Sequence, residues 1–142
     1  MAALVQRKGM SALATRFAIL TAARSGEVRG ASGDEIDLQA KLWTVPAARM
    51  KAGKEHRVPL SHAAISLLEC LPRKGTLVFP GHVRGRQLSD MSLTAVLRRM
   101  GRGDITVYGF RSTFRDWCAE AAGNALPPRS VRARARAQPA QF

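Results

Sequence analysis

The sequence has 142 residues, 46% hydrophobic and 23% charged, which fits one globular domain and excludes collagen, a disulfide-rich miniprotein and wholesale disorder. Its apolar runs fall well short of the roughly 20 residues a membrane span requires, no secretory apolar core opens it, and Cys70 and Cys118 lack metal-ligand spacing, so a reducing intracellular setting is expected. Charge is the outlier: 23 Lys and Arg against 10 acids give +13, which says nothing about fold but points to a polyanionic partner, nucleic acid first.

Met10, Leu13, Phe17 and Leu20 recur at helical spacing and predict a helix over 10–23. Arg24-Ser25-Gly26-Glu27 interrupts it, with Ser25 placed to cap a short following helix, and 30–33 reads as loop. Leu42-Trp43-Thr44-Val45, bounded by Pro46, and Arg57-Val58, bounded by Pro59, have strand composition. The intervening 47–56 carries Arg49, Lys51, Gly53 and Lys54, which makes a hairpin with a basic tip. Ser61 opens a second helix with Ala64, Leu67, Leu68 and Leu71 on one face and Pro72 at its end. Thr76 to Phe79 is a short extended piece closed by Pro80, and 81–87 is a basic loop holding Arg84 and Arg86. Ser89 or Asp90 caps a third helix with the stripe Leu93, Val96, Leu97 and Met100, stopped by Gly101. A fourth helix covers 109–122, with Phe110, Phe114, Trp117 and Ala121 facing inward. Pro127-Pro128 ends it, and 129–137 alternates Arg with small residues, a composition expected of a disordered basic tail. The fold class is mixed α+β, mainly helical, around a small antiparallel sheet.

His56, His62 and His82 lack Cys or acid partners at ligand spacing, neither Cys has an activating base, and no phosphate-cradling glycine loop is present. No metal and no cofactor are therefore expected. The remaining chemistry is cationic. Arg24 closes a helix just before a turn, Lys51 and Lys54 sit on the hairpin tip, and Arg111 follows Tyr108-Gly109-Phe110 in the first turn of an otherwise apolar helix. Either Arg alone is accounted for as the structural partner of an acid such as Glu27 or Asp116. Together, two half-buried Arg and a hairpin Lys can clamp one phosphate.

The segments FAILTAARSGEVRG (17–30), EIDLQAKLWTVPAARMKAGKEHRVPL (35–60), LSDMSLTAVLRRMG (88–101) and VYGFRSTFRDWCAE (107–120) resemble, in order and spacing, the catalytic domain of tyrosine recombinases of the prophage integrase type. The resemblance implies that fold for 1–126 and a reaction that cuts and rejoins DNA strands by transesterification without a cofactor. It implies that Arg24 and Arg111 are the two catalytic arginines on the non-bridging oxygens of the scissile phosphate. It further implies that Lys51, with Lys54 its alternative on the same tip, protonates the leaving 5′ oxygen, and that Glu27 orients Arg24. Double-stranded DNA is the implied partner, with self-association on DNA, no membrane, and a cytoplasmic, nucleoid-associated location in a bacterium.

Three departures qualify the resemblance. Tyr108 stands where the family places a His; a phenol titrates near ~10 and is a poor general base at neutral pH, but it can donate a hydrogen bond to a phosphate. Gly33 stands where relatives often carry Trp. Most consequentially, the family continues into a Leu-Ala-His segment and helices that carry the tyrosine nucleophile, whereas the one tyrosine here is Tyr108. The sequence thus reads as a partial catalytic domain missing its C-terminal helices and inactive in strand cleavage; a non-catalytic DNA-binding module derived from an integrase is the alternative. Residues 127–142 form the tail. The degenerate code for PRSVRARARAQPAQ (128–141) permits a reading one nucleotide out of register, Pro-Glu-Val-Cys-Glu-His-Ala-Leu-Ala-His-Ser-Leu-Pro, which resembles the missing segment and identifies a frameshift as the origin expected for the tail.

Overall fold

A computed structural model describes residues 1–72 and 75–121. The expected tail, and the end of the fourth helix beyond Ala121, lie outside these residues. Among the described residues there are six helices and a three-stranded sheet: α1 (Ala2–Val5), α2 (Met10–Thr21), α3 (Ser25–Arg29), β1 (Ile36–Asp37), β2 (Leu42–Val45), β3 (His56–Pro59), α4 (His62–Glu69), α5 (Ser92–Arg99) and α6 (Val107–Ala121). Two 3-10 turns, Gly33–Glu35 and Ala47–Arg49, precede β1 and follow β2.

The hub is α2, which touches α1, α3, α4, α5 and α6. Its sequence explains this role. Ala12, Ala14, Thr15, Phe17 and Ala18 are all buried, so apolar or small side chains meet neighbours around most of the helix rather than along one stripe. The buried Thr15 hydroxyl donates to the Ser11 carbonyl at 2.8 Å, which leaves no unmet polar group there. Phe17 anchors the core, with ring centroids 5.2 Å from Trp43 and 5.4 Å from Phe79, all three fully buried.

The sheet is antiparallel in the order β1-β2-β3. Trp43 pairs with Val58 and Ile36, and Val45 with His56. Trp43 and Val45 point into the core while Leu42 and Thr44 are half-buried, the period of two that a strand imposes. Ser61 caps α4 by accepting from the Ala64 amide at 3.2 Å. Gly101 ends α5 with φ 73, and the next amide, Arg102, returns to the Leu97 carbonyl at 2.9 Å, a Schellman closure.

Several expectations are corrected. The short helix α1 and the strand β1, for which the sequence raises no expectation, carry too few residues for a periodic signal, whereas the short helix expected after Arg24 is α3. Ser25 is the first residue of α3 rather than its cap, which is Arg24. The cap of α5 is Met91, not Ser89 or Asp90; those residues precede it, and the Ser89 hydroxyl pairs with Ser92. The short Thr76–Phe79 piece lies outside the three-stranded sheet and bridges 31–33, with the Gly33 amide donating to the Thr76 carbonyl and the Val78 amide to the Ala31 carbonyl, each at 2.9 Å.

The largest correction concerns α6. Val107 is buried and Phe110 packs against the core, but Phe114 is 46% exposed and Trp117 61% exposed, their rings 6.0 Å apart, and Ala121 is exposed. Only the start of α6 reaches the core; its second half extends past it with no described element on top. Apolar spacing alone does not supply a partner face.

Because Phe17 is fully enclosed by Trp43 and Phe79, Phe17→Ala leaves a cavity the neighbouring rings cannot close. Urea unfolding is expected to show a loss of about 3–5 kcal/mol, against less than about 0.5 kcal/mol for a solvent-facing control such as Lys8→Ala.

Candidate functional site

The site is built where α2 stops. Ala22 adopts φ 53, ψ 27, the left-handed conformation, although it is not glycine. That conformation costs an L-residue roughly 1–2 kcal/mol, and it turns the chain so abruptly that Arg24 and α3 follow within two residues. Arg24 caps α3. Its backbone amide donates to Glu27 Oε2 at 3.1 Å and its Nη1 to Glu27 Oε1 at 3.2 Å. Glu27 is 6% exposed while the Arg24 side chain is 46% exposed. The buried carboxylate therefore anchors one edge of a guanidinium whose remainder faces solvent. This is the acid partner expected for an isolated arginine, and it serves equally to aim Arg24 outward.

Arg111 enters from α6. Its Nη1 donates to the Ala22 carbonyl at 2.8 Å, so the second arginine is fastened to the turn that launches the first. Partial burial pushes its pKa below the ordinary guanidinium value; the like charge of Arg24 acts in the same direction, as does Arg115, while Glu27 and Tyr108 oppose them. Arg24, Glu27, Arg115 and Tyr108 thus all act electrostatically on Arg111, and Arg24 is paired with the buried Glu27 carboxylate. Tyr108 lies one helical turn before Arg111 and is 60% exposed. Such an arrangement favours an oxyanion, which offsets the repulsion between the arginines and accepts their free N–H groups.

The hairpin supplies the remaining cations. Met50 packs against the core, and its carbonyl accepts from the Gly53 amide at 3.0 Å, with Gly53 at φ 68. Lys51 and Lys54 are exposed on this tight turn, outside the contact set of the two arginines. Asp116, the other candidate acid, is replaced as the site's anchor by Glu27 for Arg24 and by a carbonyl for Arg111. Sequence reasoning missed two participants. The Ala22 carbonyl gives no sequence signal. Arg49 is visible only as a neighbour of Lys51, yet it bonds Glu35 and the Glu27 carbonyl.

Comparison with known proteins places this geometry in context. The model of the phage integrase family matches residues 2–132. The prophage integrase IntA of Escherichia coli K12 is 39% identical over 66% of this chain and 24% of its own length. The integrase of Enterobacteria phage P4 is 34% identical over 75% of the chain and 28% of its own length. The prophage integrase IntZ of Escherichia coli K12 is 40% identical over 71% and 26%. The chain therefore spans about a quarter of the length of these curated relatives. No solved structure matches. No helix among the described residues is long and apolar enough to cross a membrane.

If the arginines form one anion site, inorganic phosphate stabilises the fold through it. At a phosphate concentration equal to the dissociation constant the gain is about 0.4 kcal/mol, a rise in Tm of ~1–2 °C over chloride at the same ionic strength. Arg24→Ala and Arg111→Ala are each expected to abolish that increment in differential scanning fluorimetry.

Proposed function

The chain belongs to the phage integrase family, and we propose on that footing that it binds duplex DNA and supplies the phosphate-holding part of a strand-cleaving site for DNA integration and recombination. The observation that carries this reading is the fastening of Arg111 to the Ala22 carbonyl, which joins it to the turn that presents Arg24. The two guanidinium groups hold the non-bridging oxygens of one phosphodiester. In the transesterification a tyrosine oxygen bonds to phosphorus and the bond to the 5′ oxygen breaks. Negative charge builds on the non-bridging oxygens, and preorganised Arg24 and Arg111 offset it without reorganising. Lys51 gives its proton to the leaving 5′ oxygen, with Lys54 next to it on the same tip. Tyr108, beside Arg111, donates its hydroxyl hydrogen to the phosphate instead of acting as a base. The charge of +13 draws the domain to the duplex by counterion release, and self-association on DNA belongs to the same reading.

A second reading, a non-catalytic DNA-binding module, is favoured by one specific feature. The single tyrosine of these 142 residues occupies the helix of Arg111, three positions before it. It is assigned to the phosphate-binding set and not to the attacking group. On this reading the 142 residues bind the phosphate and do not cleave the strand.

The two readings share binding and expect no strand cleavage by these 142 residues; they part on site preference, which favours the binding module. A nicked suicide substrate carrying a radiolabel is expected to yield no covalent protein–DNA product with this chain. Gel-shift titration is expected to show binding that weakens steeply with salt. A covalent adduct mapped to Tyr108 would reverse the assignment of that residue, and salt-independent binding would contradict phosphate contact.

A further inference from the structure

Arg49 closes the 3-10 turn after β2 and stands two residues before Lys51, yet its side chain turns back into the fold. Nη2 pairs with Glu35 Oε2 at 2.7 Å. Nη1 and Nη2 reach the Glu27 carbonyl at 3.4 and 3.3 Å. The same Glu35 oxygen accepts from Trp43 Nε1 at 3.0 Å, which ties the carboxylate to the centre of the core. Glu27, whose carbonyl Arg49 holds, is the residue whose carboxylate holds Arg24. One guanidinium therefore bonds the hairpin root to the residue ahead of β1 and to the helix behind Arg24.

The fit is tight at Gly30, the C-cap of α3. Its backbone, φ −91 and ψ 1, suits any residue, but a Cβ there would overlap Arg49 Nη1 and stand 3.3 Å from Gln87 Oε1. Glycine at this position leaves room for the guanidinium rather than serving a turn. A lysine could not replace the fork, since an ammonium on a flexible stem does not bond a carboxylate and a carbonyl in fixed directions. Beyond Arg49, Met50 is packed and the turn closes at Gly53, so few bonds separate the anchored guanidinium from Lys51.

We propose that Arg49 is a positioning residue: by bonding Glu35 and the Glu27 carbonyl it holds the hairpin in register with α3, so that Lys51 reaches the same DNA backbone that Arg24 and Arg111 grip. The inference rests on the reading of Lys51 as a phosphate-side residue, and its test separates the two.

The measurement is the affinity of the 142-residue protein for a short duplex as a function of KCl concentration, for wild type, Lys51→Ala, Arg49→Lys, Gly30→Ala and the Lys51→Ala/Gly30→Ala pair. Thermal unfolding of each variant checks its folding. Loss of one phosphate contact lowers the slope of log affinity against log salt by ~0.9. Lys51→Ala is expected to show that drop. Gly30→Ala removes no charge and deletes no side chain, yet it evicts Arg49 and is expected to show the same drop. Arg49→Lys keeps the charge and is expected not to rescue the slope. The double variant is expected to lose no more than Lys51→Ala alone. Wild-type slopes for Gly30→Ala and Arg49→Lys beside a reduced slope for Lys51→Ala overturn the role of Arg49 and leave the reading of Lys51 standing. Additive losses in the double variant overturn it as well, because Arg49 then acts on its own phosphate. A wild-type slope for Lys51→Ala contradicts the reading of Lys51 and this proposal with it. Should Gly30→Ala not unfold cooperatively, Arg49→Lys decides the outcome.

Discussion

The Ala22 carbonyl, presented by a left-handed residue at the end of α2 and bonded to Arg111 Nη1 at 2.8 Å, is the contact from which the arrangement of the site follows. It couples α6 to the end of the central helix and the adjoining turn that bears Arg24, across 89 positions of sequence. The conformational cost at Ala22 is borne by a helix buried on most of its surface, with Phe17 wedged between Trp43 and Phe79. Core and site are thus mechanically joined. The rigid hub makes a strained turn tolerable, and the strained turn leads into Arg24 while its carbonyl fastens Arg111.

Holding like charges together is unfavourable unless something opposes their repulsion. Here a buried carboxylate does so from beneath. Glu27 receives both the amide and the guanidinium of Arg24, and its own backbone is held by Arg49, which Glu35 and the core residue Trp43 support in turn. The acids lie inside and the arginine faces point outward. One buried carboxylate, paired with Arg24, does not neutralise both Arg24 and Arg111, and the residual positive charge is what an oxyanion would relieve. Preorganised N–H donors strengthen their hold as charge develops, and the proposed phosphate-binding role draws on that property.

How far the sequence revealed this varies with the physics of each part. Long apolar-periodic segments were legible: the helix α2, the stripes of α4 and α5, the Ser61 cap and the Gly101 stop all reappear, although α2 is buried around most of its surface rather than along the expected stripe. The hairpin was legible because β-branched and aromatic residues between prolines leave few alternatives. The helix α1 and the strand β1 were not, since four and two residues carry too little pattern, whereas α3 was marked by the break at Arg24-Ser25-Gly26-Glu27. The face of α6 misled for another reason: Phe114 and Trp117 have core spacing, but spacing reports which residues share a side and not whether anything lies against it. Within the site, Arg24, Glu27 and Arg111 stood out as charged residues in apolar or turn settings. The Ala22 carbonyl and the Glu35–Arg49 pair did not, because a backbone acceptor has no residue signature and an ion pair 14 positions apart depends on tertiary closure.

In the proposed function Arg24 and Arg111 grip one phosphate together. Nuclear magnetic resonance of the arginine Nε–Hε groups during titration with a short duplex tests it directly. Both resonances are expected to move along one binding curve with a common Kd, and Arg111→Ala is expected to suppress the movement of Arg24. Movement of one resonance alone, or two curves with different Kd values, would contradict a shared phosphate.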